Sequence, residues 1–216
     1  MTTKKEGNGT QGDWSGLDDG VLIDAYLKGD QRAFEVLFQK YYDQVSRLIH
    51  SITKDHSLVD DIAQEVFLLV YRHLHKFRGQ SAFKTWLYRI TVNETLRQAV
   101  RMKRWQPLPE GDFEPSKIPS TLVMFENGAS PERVLLDGEQ QGLIQEALKS
   151  LKPAHRTILV LFYMEELSVQ EVADILEIPE GSVKSRLYYA RLGLKEALQV
   201  VMQPTGKDKR GHTHVV

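Results

Sequence analysis

The sequence predicts an all-α fold: two small helical domains joined by a flexible linker, the C-terminal one a helix-turn-helix. Three observations predict it. Apolar residues recur at three- and four-residue spacing over 17–105 and again over 131–202. No stretch alternates apolar and polar residues for the length of a strand. Between the two periodic regions, five of the eight prolines (Pro107, Pro109, Pro115, Pro119 and Pro131) fall in or at the end of the 106–130 segment. No continuous helix tolerates that density.

Composition narrows the function. The chain has 216 residues, with 28 basic and 29 acidic side chains for a net charge of −1. That length suits one ordinary domain or two small ones. The absence of cysteine excludes disulfides and thiolate zinc sites. The longest purely apolar run, Ile158–Met164, is far too short to span a bilayer. The first sixteen residues lack the apolar core of a signal peptide. The expected place of work is the cytoplasm, with no membrane insertion.

Nothing in the sequence suggests an enzyme, a metal or a cofactor. Gly7 to Gly12 formally matches a dinucleotide-binding glycine pattern, but no strand precedes it and no helix opens from it. His73 and His75 stand two apart on a helix and so face apart. No Walker loop, zinc-protease motif or nucleophile elbow is present.

The elements follow in order. Residues 1–16 are polar and read as a disordered arm. Leu22, Tyr26, Phe34, Leu37, Phe38 and Tyr41 form the stripe of two helices, with Gly29-Asp30 ending one and capping the next. Ser57 to Asp60 reads as a capping box opening a third helix, whose stripe is Leu58, Ile62, Val66, Leu69, Val70 and Phe77. Arg78-Gly79-Gln80 marks a turn, and a fourth helix runs from about 81 to 104. The linker holds Phe113, Ile118 and Leu122 to Phe125, which a pure spacer would not need. Ser130-Pro131 restarts helix, with Leu135, Leu143, Ile144, Ala147 and Leu148 facing a core. Pro153 opens another helix, two short helices follow, and 203–216 is a polar tail.

Those two short helices form the helix-turn-helix. Ser168-Val169-Gln170-Glu171 is a capping box. Small Ala173 suits the crossing, Ile178 plugs the turn, and Val183 and Leu187 seat the second helix. The usual turn glycine is replaced by Glu177, a departure whose left-handed backbone costs about 1–2 kcal/mol. On a helical wheel Val183, Leu187, Ala190 and Leu194 share one face. Gly181, Ser185, Tyr188 and Tyr189 lie opposite, flanked by Lys184, Arg186 and Arg191. Residues 182–195 hold four basic side chains and no acidic one. Cations for phosphates and guanine edges, a serine and two aromatics are the chemistry of a major-groove reader.

Charge in the first domain is segregated. Asp61, Gln64, Glu65 and Leu68 share one face of the third helix, an acidic face with an apolar spot. It is either a solvated surface or a contact for a basic partner. The fourth helix and its end carry Lys84, Arg89, Arg97, Arg101, Lys103 and Arg104 against Glu94. Phe77, Phe83, Trp86, Tyr88 and Trp105 are interleaved with them. Basic charge with aromatics suits opened nucleic acid: cations follow the backbone and rings stack on unpaired bases. The alternative is that the rings are core, which fits Phe83 and Tyr88 better than Trp86. The compensating negative charge lies in 106–147, with eight acidic residues against two basic. Such an acidic segment suits a basic channel that otherwise holds nucleic acid.

These motifs together resemble bacterial sigma factors: Asp61 to Phe67, Phe77-Arg78-Gly79, Thr85 to Asn93, and Leu151-Lys152-Pro153 through Gly181 to Leu187. Two domains with no third between them resemble the extracytoplasmic-function group of the sigma-70 family. The resemblance covers about 17–198 and implies a mechanism. Asp61, Gln64, Glu65 and Leu68 would dock on the clamp helices of the RNA polymerase β′ subunit. Phe77, Gly79, Gln80, Ser81, Trp86 and Asn93 would surround opened bases of the minus-ten promoter element. Arg89, Arg97, Arg101, Lys103 and Arg104 would hold its phosphates. Ser168, Lys184, Ser185, Arg186, Tyr188, Tyr189 and Arg191 would engage the minus-thirty-five DNA, and the second domain would also pack on the β flap. An anti-sigma factor would be a further partner. Tyr189 stands where many members carry arginine, and Glu94 and Arg97 where small or amide residues are common. The competing reading is a stand-alone helix-turn-helix regulator, which has no need of the acidic and basic-aromatic helices.

Overall fold

A computed structural model describes residues 16–101 and 138–202. The expected arm up to Ser15, the whole 106–130 linker, the Ser130-Pro131 restart and the tail lie outside the described residues, as do Lys103, Arg104 and Trp105. Every described element is helical. The first four are α1 (Asp19–Leu27), α2 (Gln31–Thr53), α3 (Val59–His73) and α4 (Phe83–Arg101). The second four are α5 (Gly138–Ser150), α6 (Pro153–Leu159), α7 (Val169–Leu176) and α8 (Glu180–Val201).

Local chemistry sets the ends of these helices. The Asp18 carboxylate accepts from the Gly20 N–H, and the Asp30 carboxylate from the Arg32 N–H. Between them Gly29 turns at φ 104°, a conformation open to glycine. The start of α3 differs from expectation. Leu58 precedes it with no side-chain cap, and Asp55 instead caps a short 3-10 turn by accepting from the Ser57 N–H at 2.9 Å. Asp55 sits earlier and already offers a carboxylate to that turn. Pro153 opens α6, which continues as a π turn over Val160–Met164. The α7 capping box forms in both directions: the Glu171 N–H donates to Ser168 Oγ at 3.2 Å, and the Ser168 N–H donates to the Glu171 carboxylate at 2.9 Å. Glu177 adopts the left-handed conformation, φ 53° and ψ 42°.

The helices α1–α4 enclose a core of Leu22, Leu37, Val45, Ile49, Ile62, Val66, Leu74 and Leu87. A second core seats α7 and α8 on α5 and α6 through Ile158, Leu161, Val172, Ile175, Val183 and Leu187. This second core also takes in Leu48 and Ile52 of α2 and Tyr88 and Val92 of α4, all completely buried. The domains are therefore packed on one another as well as tethered. Aliphatic side chains of this size are worth about 1.5–3 kcal/mol each when fully buried. The linker's proline content gave no sign of this packing.

Candidate functional site

Three surfaces were expected, and the structure orders them differently from a helical wheel. On α3, Asp61 and Gln64 are exposed, Glu65 is half-buried and Leu68 is 47% exposed. All four emerge on one side because Ile62, Val66 and Val70 are buried on the other. Tyr71, three residues beyond Leu68, extends the apolar spot. Its ring lies 5.7 Å from that of Tyr26 and 5.2 Å from that of Phe34. The same i, i+3 spacing that singled out Leu68 would have found Tyr71.

The α4 surface is built around a turn. Gly79 has φ 68° and folds the 78–81 segment back toward the helix start. Phe77 and Trp86 face each other at 5.4 Å, each also against buried Phe83. Phe77, Gln80, Ser81, Trp86 and Arg89 line a polar cavity of about 410 Å³ together with Lys76, Arg78 and Asp174. Six of these eight residues come from the two sequence segments expected to handle opened bases. Asn93 and Arg101 are exposed farther along the helix. Tyr88, by contrast, is core.

Two of the expected phosphate contacts hold carboxylates. Arg89 Nη1 lies 3.2 Å from Glu177 Oε1. Arg97 donates through Nε and Nη2 to both oxygens of Glu94, each at 2.7 Å, and Gln98 adds a third bond at 2.8 Å. Glu94 is only 3% exposed, so it is an internal anchor for Arg97. The Glu94 carboxylate, with Glu65 as a smaller contributor, raises the pKa of the Arg97 guanidinium.

On α8, Lys184 is exposed, while Arg186, Tyr188 and Tyr189 are half-buried. The two tyrosine rings meet edge to face at 5.3 Å. Burial lowers the Arg186 pKa. Ser185 requires a correction. The wheel put it on the reading face, but it is 6% exposed and its hydroxyl donates to the Ser182 carbonyl at 3.0 Å. In the helix interior, serine bonds back to its own preceding turn. Arg191 is also displaced from the expected face. Its guanidinium lies over the rings of Phe162 and Tyr163, at 5.9 and 5.5 Å. There it borders an apolar groove of about 1,410 Å³ lined by Ile144, Leu148, Phe162, Met164, Leu194 and Leu198 among others. Ser168 serves the capping box.

Of the side chains that join the domains, only Tyr88 was singled out in the sequence, as a core ring of the first domain. The Tyr88 hydroxyl donates to Glu165 at 2.6 Å, and Lys54 donates to Gln145 Oε1 at 2.6 Å. Burial, followed by the Glu165 hydrogen bond, pushes the Tyr88 phenol far above its usual range. Among the described residues no cluster of three or more His, Asp or Glu is placed to hold a metal ion. No described helix is long and apolar enough to cross a membrane.

An acidic helix beside a basic-aromatic one, with a helix-turn-helix in the same chain, defines a transcription factor that meets both a protein machine and DNA. Comparison with known proteins gives the family. Residues 37–106 match the model of sigma-70 region 2, and residues 141–194 that of sigma-70 region 4. The chain is 34% identical to the RNA polymerase sigma-H factor of Pseudomonas aeruginosa over 86% of its own length and 96% of that protein's. It is likewise 34% identical to the ECF RNA polymerase sigma-E factor of Escherichia coli K12, over 87% and 96%. In fold it resembles CnrH, solved in complex with the cytosolic domain of CnrY, with a TM-score of 0.59, 22% identity and coverage of 84% of this chain and 97% of that one. It also resembles the sigma factor RpoE of Bartonella quintana, solved with the anti-sigma factor NepR, with a TM-score of 0.55, 21% identity and coverage of 77% and 97%. The chain belongs to the sigma-70 family, in its extracytoplasmic-function (ECF) group. It is a sigma factor that directs promoter-specific transcription by RNA polymerase, rather than a stand-alone regulator.

Proposed function

We propose a division of labour among the three surfaces. The α3 face of Asp61, Gln64, Glu65 and Leu68 grips the β′ clamp helices: acidic side chains meet a basic surface and Leu68 supplies the apolar contact. The α4 cavity receives an unpaired minus-ten base between Phe77, Trp86 and the turn at Gly79, while Arg89, Arg97 and Arg101 hold phosphates. Lys184, with Tyr188 and Tyr189, reads minus-thirty-five duplex. The single observation that carries this reading is the polar cavity bordered by Phe77, Trp86 and Arg89. Rings and cations meet there.

The apolar groove on the second domain suits an amphipathic helix from the β flap or from an anti-sigma factor. CnrH and the Bartonella RpoE were both solved with a partner of the second kind or a cytosolic domain bound. The protein works in the cytoplasm and catalyses nothing itself. It supplies recognition and opening to the polymerase.

Transcription by core polymerase with and without this protein on total genomic DNA, followed by mapping of transcript starts, tests the assignment. New starts sharing two spaced upstream elements are expected. Starts identical with and without the protein would refute it.

A further inference from the structure

A cationic junction forms where the end of α2 meets the end of α5 and the start of α6, and it shares no residue with the three surfaces above. Residues 50–58 and 145–156 carry Lys54, Lys149, Lys152 and Arg156 with His50, His56 and His155, against two carboxylates, Asp55 and Glu146. Lys54 crosses the domain boundary to donate to Gln145 Oε1 at 2.6 Å. Arg156 is 3% exposed, and its Nη1 lies 3.3 and 3.5 Å from the Leu148 and Lys149 carbonyls at the end of α5. The His50 and His56 rings stack at 3.7 Å, with Lys54 close enough to help lower the His50 pKa after burial and His56. We propose that this junction binds a compact polyvalent phosphate, a free diphosphate or the phosphates of a nucleotide, between Lys54 of the first domain and Lys149 and Arg156 of the second.

Every charged group that moves the Lys54 pKa is a cation: burial lowers it to about 8, followed by Arg156 and Lys149. Burial brings Arg156 itself down to about 10. The negative groups offset only part of this charge. The C-terminus of α5, on which Arg156 sits, is worth roughly half a charge. Glu146 meets Lys149 at 2.9 Å, but their side chains are 60% and 53% exposed, and such pairs contribute little. Asp55 accepts from the Ser57 N–H and hydroxyl, at 2.9 and 2.6 Å, and so caps its own 3-10 turn. Three positive charges therefore stand close together at a partly desolvated place, where an anion relieves their repulsion. They reach the junction from three segments, so no single carboxylate answers them all. A phosphate group offers an oxygen to each, and two linked phosphates also match the charge. Lys54 is half-buried and Lys149 exposed, which leaves the junction open to solvent on the Lys149 side.

The full chain is titrated with sodium pyrophosphate by calorimetry at fixed ionic strength, beside K54Q, K149Q, E146Q, K28Q and K184Q. Saturable binding is expected in wild type. K54Q and K149Q are expected to bind about tenfold more weakly, the loss of one charge-assisted hydrogen bond. E146Q, which removes a competing carboxylate, should bind at least as tightly as wild type. K28Q, at the other end of α2, should stay within about twofold, since charges beyond a Debye length are screened. Lys149 is exposed, so K149Q is expected to keep the ligand-free melt of wild type and carries the test should K54Q fail to fold. Saturating pyrophosphate is also expected to raise the wild-type melting midpoint, because the junction exists only in the folded chain. Absence of saturable binding overturns the proposal. So do losses in K54Q and K149Q no larger than in K28Q, and so does a loss confined to K184Q, which places the anion on the helix-turn-helix instead. Adenosine diphosphate titrated in the same way separates the two sources: tighter binding than pyrophosphate assigns a nucleotide, equal or weaker binding the free diphosphate.

Discussion

Arg89 of α4 and Glu177 of the helix-turn-helix turn meet across the two domains at 3.2 Å, and Glu177 does so from a left-handed backbone, φ 53°. The residue that takes the place of the usual turn glycine is thus the one that reaches the first domain. Glycine at 177 relieves the backbone, by about 1–2 kcal/mol, and deletes the ion pair. E177G is expected to hold or raise the urea midpoint of the full chain. A clear fall in midpoint would show that the pair outweighs the strain.

Asp61 and Gln64 are exposed and Glu65 is half-buried, so charge reversal there leaves the fold nearly unchanged. D61K/E65K is expected to retain its circular dichroism melt and to lose co-purification with core polymerase. Retained co-purification would remove this face from the polymerase contact. Tyr71 offers a milder check, with Y71A weakening the complex through its apolar edge.

Glu94 is buried and Arg97 is exposed, and that asymmetry predicts unequal mutants. R97M leaves a buried carboxylate short of its charged partner, whereas E94Q keeps neutral hydrogen bonding to the same neighbours. R97M should therefore lower the thermal midpoint more than E94Q. The reverse order in a melting series would mean that Glu94 is hydrated.

Lys54 is held down to a pKa of about 8 by burial, then by Arg156 and Lys149. A lysine lowered in the folded state binds fewer protons than the unfolded chain between about 8 and its ordinary value near 10.4. Stability from this group thus rises with pH across that window and is lost as pH falls back toward 8. Urea midpoints of wild type minus K54Q, taken from pH 7.5 to 10, should climb. A flat difference would place Lys54 in water.

Ser185 and Lys184 separate on promoter reading. The Ser185 hydroxyl is bonded to Ser182 and buried, so S185A should leave base preference unchanged. Exposed Lys184 is expected to carry a contact whose loss costs about 1–3 kcal/mol at one base position. Binding to a panel of single-base duplex variants reads both. A base-specific effect of S185A would restore it to the reading face.

What the sequence determined by itself is everything that depends on neighbours along the chain. Spacing of three and four gave the helices, Gly29-Asp30 and Pro153 gave their breaks, and Ser168 with Glu171 gave the α7 cap, because these are bonds closed within one turn. The acidic α3 face was legible for the same reason: one helix, one stripe. The capping of α3 was misread because two candidate caps, Asp55 and Ser57, lie within three residues and only the backbone path chooses between them. Tertiary structure alone decided what faces what. Tyr88 read as core of the first domain, yet with Leu48, Ile52 and Val92 it buries against the second. Arg89 and Arg191 read as DNA contacts, yet here one meets a carboxylate and the other lies over two rings. A charge pattern records which groups are available. Which partner each finds is settled by the apolar surfaces that bring distant segments together, and Arg89 and Glu177 are 88 residues apart.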